Sequence, residues 1–93
     1  MKGENLQVKV LDSALKHGLT ECDVLFALEN SQMHNTVQRS GNIDKEVDLV
    51  LGTLPDGNLC EIMATLSYDE TKVVVFHVMK PPSKGFLRKI EGK

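Results

Sequence analysis

His77 and the basic residues that follow it are the side chains of this 93-residue sequence best suited to acid–base and anion chemistry. Lys80, Lys84 and Arg88 come within eleven residues of it. An imidazole titrates near neutral pH, and Lys and Arg stabilise negative charge on phosphate. Metal-free cleavage of RNA needs only a base for the 2′-hydroxyl proton, cations for the charge that develops on phosphorus, and an acid for the leaving 5′-oxygen. The spacing permits such a site.

His77 also fits a structural role. Strand alternation predicts that it shares a face with Val73, Val75 and Met79, where a lone histidine is commonly a hydrogen-bonded core residue. Its position at the end of the strand, beside several cations, favours chemistry instead. Both interpretations stay open.

His17 is a second candidate for proton transfer, with Lys16 beside it and Gly18 after it. A cation in the last turn of a helix interacts favourably with the helix dipole, so Lys-His-Gly also fits an ordinary helix end. Lys45 is a further candidate for contacting phosphate.

Several functional classes have no support in the sequence. It contains no Gly-rich phosphate loop, no Ser/His/Asp signature and no HExxH motif. Cys22 and Cys60 form no CxxC pair, have no histidine at metal-ligand spacing, and are both predicted to be small buried residues. We therefore expect no metal and no cofactor. The sequence has neither a secretory leader pattern nor a long apolar run, which predicts a cytoplasmic protein without membrane contact.

Charge is distributed unevenly along the chain. Residues 1–79 hold six Lys and Arg against twelve Asp and Glu, whereas residues 80–93 hold five against one. The body of the chain, residues 1–79, therefore has a net charge of −6, and the basic C-terminal segment, residues 80–93, has a net charge of +4. A basic end on an acidic body is able to contact phosphate or an acidic partner, although a solvated tail has the same composition.

These residues must be positioned by helices and strands. The pattern of these elements along the sequence predicts a single α+β domain over 1–93, with its core in 6–90. Its small size is compatible with a homodimer or another partner. A first strand is predicted at Leu6–Leu11, then a short helical stretch at Ser13–His17. A second helix follows at Glu21–Glu29, where Thr20 and Asp23 form a capping box.

The second half predicts an antiparallel β-meander from Val47 to Met79, with Pro55-Asp-Gly57 as its first turn. Its last strand is apolar on both faces, so we expect the N-terminal strand to pair along it. A weak edge strand is predicted near Asn35–Arg39. A short C-terminal helix, Ser83–Ile90, should fold back on the core and project its basic side chains.

The order of several short motifs resembles the BrnT-type toxins of bacterial type II toxin–antitoxin systems, distant members of the RelE/ParE superfamily. The motifs are Leu15–Leu19, Glu21–Asn30, Val50–Gly52, Pro55–Gly57, His77–Lys80 and Phe86–Arg88. The resemblance implies a RelE-like fold and a metal-independent endoribonuclease that inhibits translation by cleaving RNA, including ribosome-associated RNA. It also implies a co-encoded, DNA-binding antitoxin protein as partner.

Carried over by position, Lys16 with His17, His77 and Arg88 match the motif positions of this family, and Lys84 lies near a position where relatives often have a basic residue. The chain departs from the pattern at Lys45, which stands where relatives tend to have Arg. Lysine keeps the charge but lacks the bidentate fork of a guanidinium group.

Two other functions stay open. The first is a non-catalytic protein-interaction module of the same fold, an inactive toxin-like protein that the acidic body would suit. The second is a nucleic-acid-binding module that uses the basic C-terminal segment without cleaving its ligand.

Overall fold

A computed structural model describes residues 7–38 and 46–92. Within these residues, five strands form one mixed sheet in the order β1-β5-β4-β3-β2, with helices on both faces, which confirms the predicted α+β class. The strands are β1 (Gln7–Val10), β2 (Ser31–Gln38), β3 (Glu46–Thr53), β4 (Leu59–Leu66) and β5 (Lys72–Met79). The helices are a 3₁₀ helix (Asp12–Gly18), α1 (Glu21–Glu29) and α2 (Lys84–Ile90).

The strands β2 to β5 form an antiparallel meander, and β1 lies parallel to β5 at the edge of the sheet. The predicted pairing of the N-terminal strand with the last strand is confirmed. Among the described residues, no helix has the length and apolar character needed to cross a membrane.

The helix α1 has the predicted bounds, and it begins where the capping signals predicted. Thr20 Oγ1 accepts a hydrogen bond of 3.1 Å from the Asp23 N–H, and Asp23 Oδ2 accepts one of 3.0 Å from the Thr20 N–H. These bonds satisfy backbone donors that the first turn of a helix leaves unpaired. Gly18 ends the preceding 3₁₀ helix with a φ of 77°, a conformation that glycine adopts without steric cost.

Each face of the sheet has its own apolar cluster. The α1 face is covered by α1 and the 3₁₀ helix, and its buried residues include Val24, Cys60, Ile62 and Val75. The α2 face is covered by α2, and its buried residues are Val47, Leu49, Leu51, Phe86 and Ile90. The prediction that both cysteines are buried is right for Cys60 and wrong for Cys22, which lies on the solvent side of α1.

The edge strand β2 is longer than predicted and begins earlier. It runs from Ser31 to Gln38 rather than from Asn35, because its backbone pairs along almost the whole of β3. Arg39, where the predicted strand ends, lies outside the described residues. The Asn35 amide donates to the carbonyl oxygens of Lys89 and Ile90 at 3.2 and 3.4 Å, which attaches the end of α2 to this edge.

Candidate functional site

His77 lies on β5, and a β-bulge determines which way it points. In the pairing of β4 with β5, Ala64 lies opposite Val75 and Met63 lies opposite His77, so Phe76 is an extra residue on β5. A bulge of this kind shifts the alternation of side chains by one residue. The prediction that His77 shares a face with Val73 and Val75 is therefore wrong: Val75 belongs to the α1 face, and His77 lies with Met79 on the α2 face.

The imidazole of His77 contacts a buried acid. Its Nε2 lies 2.8 Å from Oε2 of Glu61, which comes from the neighbouring strand β4. The side chain of His77 is 38% exposed, whereas that of Glu61 is 3% exposed. The imidazole thus contacts a buried carboxylate through Nε2, while the side chain as a whole stays partly exposed.

Glu61 also connects the sheet to the start of α2. Its Oε1 accepts a hydrogen bond of 2.7 Å from the backbone N–H of Ser83, the residue that caps α2. Ser83 Oγ in turn accepts a hydrogen bond of 3.2 Å from the Phe86 N–H. These bonds hold the first turn of α2, and with it Lys84, against the part of the sheet that carries His77.

Lys84 and Arg88 lie four residues apart on α2 and are both exposed, as predicted. Residues at this spacing share one face of a helix. Phe86 and Ile90 of the same helix are buried against the sheet. The helix therefore packs through its apolar side and presents Lys84 and Arg88 to solvent.

The 3₁₀ helix that contains Lys16 and His17 contacts β5 from the α1 face, so the structure does not bring this helix to the face on which His77 lies. Ser13 Oγ donates a hydrogen bond of 3.4 Å to the carbonyl oxygen of Phe76, the residue before His77. Lys16 is exposed, and His17 follows it in the same helix. The strand β1 pairs with β5 only as far as Val75, so the edge of β5 beyond that point adjoins the 3₁₀ helix instead.

Lys80 is exposed and lies beside the turn that joins β3 to β4. It lines a surface groove of about 590 Å³ together with Pro81, Pro82 and residues 57–59. Hydrogen bonds from Asn58 lower the pKa of Asp56 in this turn, and the charge of Lys80 adds to that effect. Lys80 thus shares its surroundings with an acidic turn. Lys45, the remaining predicted substrate contact, lies outside the described residues.

Glu61 is the site residue that the sequence prediction missed. The alternation of β4 places it on the face away from Cys60 and Ile62, but no role was predicted for it. A signal was present, because β4 and β5 contain one acid and one histidine among apolar neighbours and are joined by a short turn. Antiparallel pairing brings two such residues together, and each needs a polar partner when it is buried.

A second histidine and carboxylate pair lies on the α1 face. His34 Nε2 is 3.7 Å from Asp48 Oδ1, and both side chains are well exposed. Asp48 Oδ1 also accepts a hydrogen bond of 2.9 Å from Thr36 Oγ1. This pair lacks the buried carboxylate of the His77 pair and is a natural control for it.

The arrangement around His77 is suited to moving a proton. A half-exposed imidazole is oriented by an enclosed carboxylate, and exposed cations lie on the helix that begins at the same carboxylate. Comparison with known proteins adds no further information, since no family model, no curated protein and no solved structure matches the chain.

Proposed function

We propose that this chain is the toxin of a toxin–antitoxin module with a RelE-like fold, and that it inhibits translation as a metal-independent endoribonuclease. The contact between His77 and Glu61, at the start of the helix that carries Lys84 and Arg88, is the observation that supports this function most strongly. The resemblance of the sequence motifs to BrnT-type toxins supports it independently.

In the proposed reaction, His77 takes the proton of an RNA 2′-hydroxyl group. The 2′-oxygen then forms a bond to phosphorus, the bond from phosphorus to the 5′-oxygen breaks, and the leaving oxygen takes up a proton. Lys84 and Arg88 stabilise the negative charge that develops on the phosphate oxygens. The resemblance implies His17, with Lys16 beside it, for the second proton, but the helix that contains it covers the α1 face, whereas His77 lies on the α2 face. We therefore assign this proton to solvent.

The proposed protein partner is a co-encoded antitoxin that blocks this activity. The body of the chain is acidic, with a net charge of −6 over residues 1–79. An acidic surface favours a basic protein partner over a polyanion, and the short basic segment favours RNA. The same observation supports the second candidate function, a module that binds the partner without cleaving RNA.

Induced expression in a sensitive bacterial host tests the proposal. Wild-type protein should arrest growth, and Arg88→Ala should relieve the arrest, because loss of one cation at a transition-state phosphate costs about 10²-fold in rate. Lys72→Ala is the matched control, since Lys72 is an exposed cation at the opposite end of β5. We expect it to arrest growth like the wild type.

Normal growth on expression of the wild type would contradict the toxin function. Recovery of a stable complex with the product of the adjacent gene would then favour the interaction module. Equal arrest by wild type and Arg88→Ala would contradict the role given to Arg88.

A further inference from the structure

Glu61 is an acidic side chain that the sheet and α2 enclose almost completely. Its two carboxylate oxygens have different partners: Oε2 faces His77 Nε2 at 2.8 Å, and Oε1 accepts the backbone N–H of Ser83 at 2.7 Å. A carboxylate removed from water is stable only where hydrogen bonds replace its hydration. The burial of Glu61 therefore depends on both contacts.

We propose that Glu61 is a positioning residue for the RNA cleavage described above, an inference that rests on that proposed function. The proposal takes Glu61 as ionised: an ionised carboxylate only accepts hydrogen bonds, so the proton of the 2.8 Å contact then lies on Nε2 of His77. In the neutral imidazole the lone pair then lies on Nδ1. Nδ1 is thus the atom that takes the proton from the 2′-hydroxyl group.

The same contact stabilises the product of that proton transfer. Once Nδ1 has accepted the proton, both ring nitrogens of His77 carry one and the ring is positively charged. Glu61 Oε2 still accepts from Nε2–H, and its negative charge stabilises the imidazolium without taking its proton. No co-reactant is needed for this step.

Glu61 also sets where the cations lie relative to the base. Its hydrogen bond with the Ser83 N–H holds the N-cap residue of α2, and Lys84 is the next residue. A catalytic group and its supporting charges must be held to within a fraction of an ångström to act together. One buried side chain therefore orients the base and fixes the helix that carries the cations.

Glu61→Gln tests the proposal because an amide has nearly the shape of a carboxylate but has one donating end. The Ser83 N–H can only donate, so it selects the amide oxygen and turns the amide nitrogen toward His77. His77 Nε2 must then accept, which moves the ring proton to Nδ1, the atom that acts as base. We expect kcat for RNA cleavage to fall by about 10²-fold or more, with KM changed by less than about threefold.

One control variant separates this effect from ordinary damage to the fold. Asp48→Asn makes the same chemical change in the exposed His34 pair on the other face. We expect it to retain kcat within about threefold of the wild type, since it does not change the proton on His77.

A direct measurement of the His77 tautomer completes the experiment. Long-range proton–nitrogen correlation NMR of the wild type should show Nε2–H for His77, and Glu61→Gln should show Nδ1–H, with the signals assigned by means of His77→Asn. The tautomer of His77 in the wild type can be measured without any variant. This measurement can therefore contradict the proposal even if Glu61→Gln does not fold.

The outcomes distinguish the two proposals. Nδ1–H in the wild type, or a Glu61→Gln rate close to the wild-type rate, would overturn the role of Glu61. A wild-type protein that holds Nε2–H but cleaves no RNA would overturn the proposed activity, and with it the catalytic part of this inference, while upholding the placement of the proton by Glu61.

Discussion

Cys60 and Glu61 are neighbours on β4 whose side chains lie on opposite faces of the sheet. The Cys60 thiol is enclosed by the apolar residues of the α1 face, and this burial raises its pKa to about 11. Glu61 is almost as deeply buried, but it has two hydrogen-bond partners on the α2 face. The alternation of one strand thus separates an inert buried group from the acid that orients His77.

The two cysteines should differ sharply in reactivity. At pH 8 we expect a thiol reagent to modify Cys22 within minutes and to leave Cys60 unmodified, because Cys22 is exposed whereas Cys60 is buried and fully protonated. Spectrophotometric titration should count one thiol in the folded protein and two in denaturant. Cys22→Ser should reduce the native count to zero, and two rapidly reacting thiols in the native wild type would contradict the structure.

The raised pKa of Cys60 also links stability to pH. The folded-state pKa of about 11 lies above the ordinary value of 9.0, so the folded protein holds this proton more tightly than the unfolded chain. The resulting stabilisation is complete below pH 9 and is lost as the pH rises toward 11. Urea denaturation at pH 9 and at pH 11 measures this loss. The free energy of unfolding of Cys60→Ala should fall less between the two pH values than that of the wild type.

At the scale of elements, the close packing of α1 on β3 depends on one glycine. A Cβ atom at Gly52 would lie 2.7 Å from the carbonyl oxygen of Ala27 and 2.8 Å from its Cβ atom. Both distances are far below van der Waals contact, and the first involves backbone, which cannot rotate away. Ala27 itself is fully buried, so the helix lies directly on the strand at this point.

Gly52→Ala should therefore destabilise the protein by about 1–3 kcal/mol, because the added methyl group forces α1 away from the sheet. Gly85→Ala is the matched control: the added Cβ meets nothing within 4 Å, and alanine is the better helix former, so we expect a gain of about 0.5 kcal/mol. Urea denaturation monitored by circular dichroism measures both changes. Equal effects of the two substitutions would contradict the close approach of α1 to β3.

Elements that depend on local contacts were predicted more accurately than elements that depend on contacts between distant parts of the chain. The start of α1 was predicted to the residue because the contacts between Thr20 and Asp23 are local. The strand β2 was predicted only in part, since its polar sequence carries little signal and its pairing with β3 determines where it begins. Local patterns encode caps and turns, but the extent of an edge strand is a tertiary property.

The candidate site shows the same limit. His77, Lys84 and Arg88 were identified from residue type and spacing. The bulge at Phe76 was not, and it reversed the face on which His77 lies. Glu61 was missed for the same reason, because its role depends on a contact between two strands and a helix rather than on any motif.

At the scale of the whole molecule, helices contact the last half of β5 from both faces of the sheet, and the candidate site lies on the α2 face. The 3₁₀ helix reaches this strand from the α1 face through Ser13, and α2 reaches it from the other face through Glu61 and Ser83. The basic C-terminal segment thus belongs to the folded domain, because its helix is packed on the sheet by Phe86 and Ile90. We expect its cations to act at a defined position rather than as a mobile tail.

Incubation of the purified protein with RNA in the presence of a metal chelator tests the central claim most directly. The proposed chemistry predicts fragments that end in a 2′,3′-cyclic phosphate and begin with a free 5′-hydroxyl group. Arg88→Ala should form them about 10²-fold more slowly, and Lys72→Ala at the wild-type rate. Intact RNA after incubation with the wild type, or cleavage that requires added metal ions, would contradict the account.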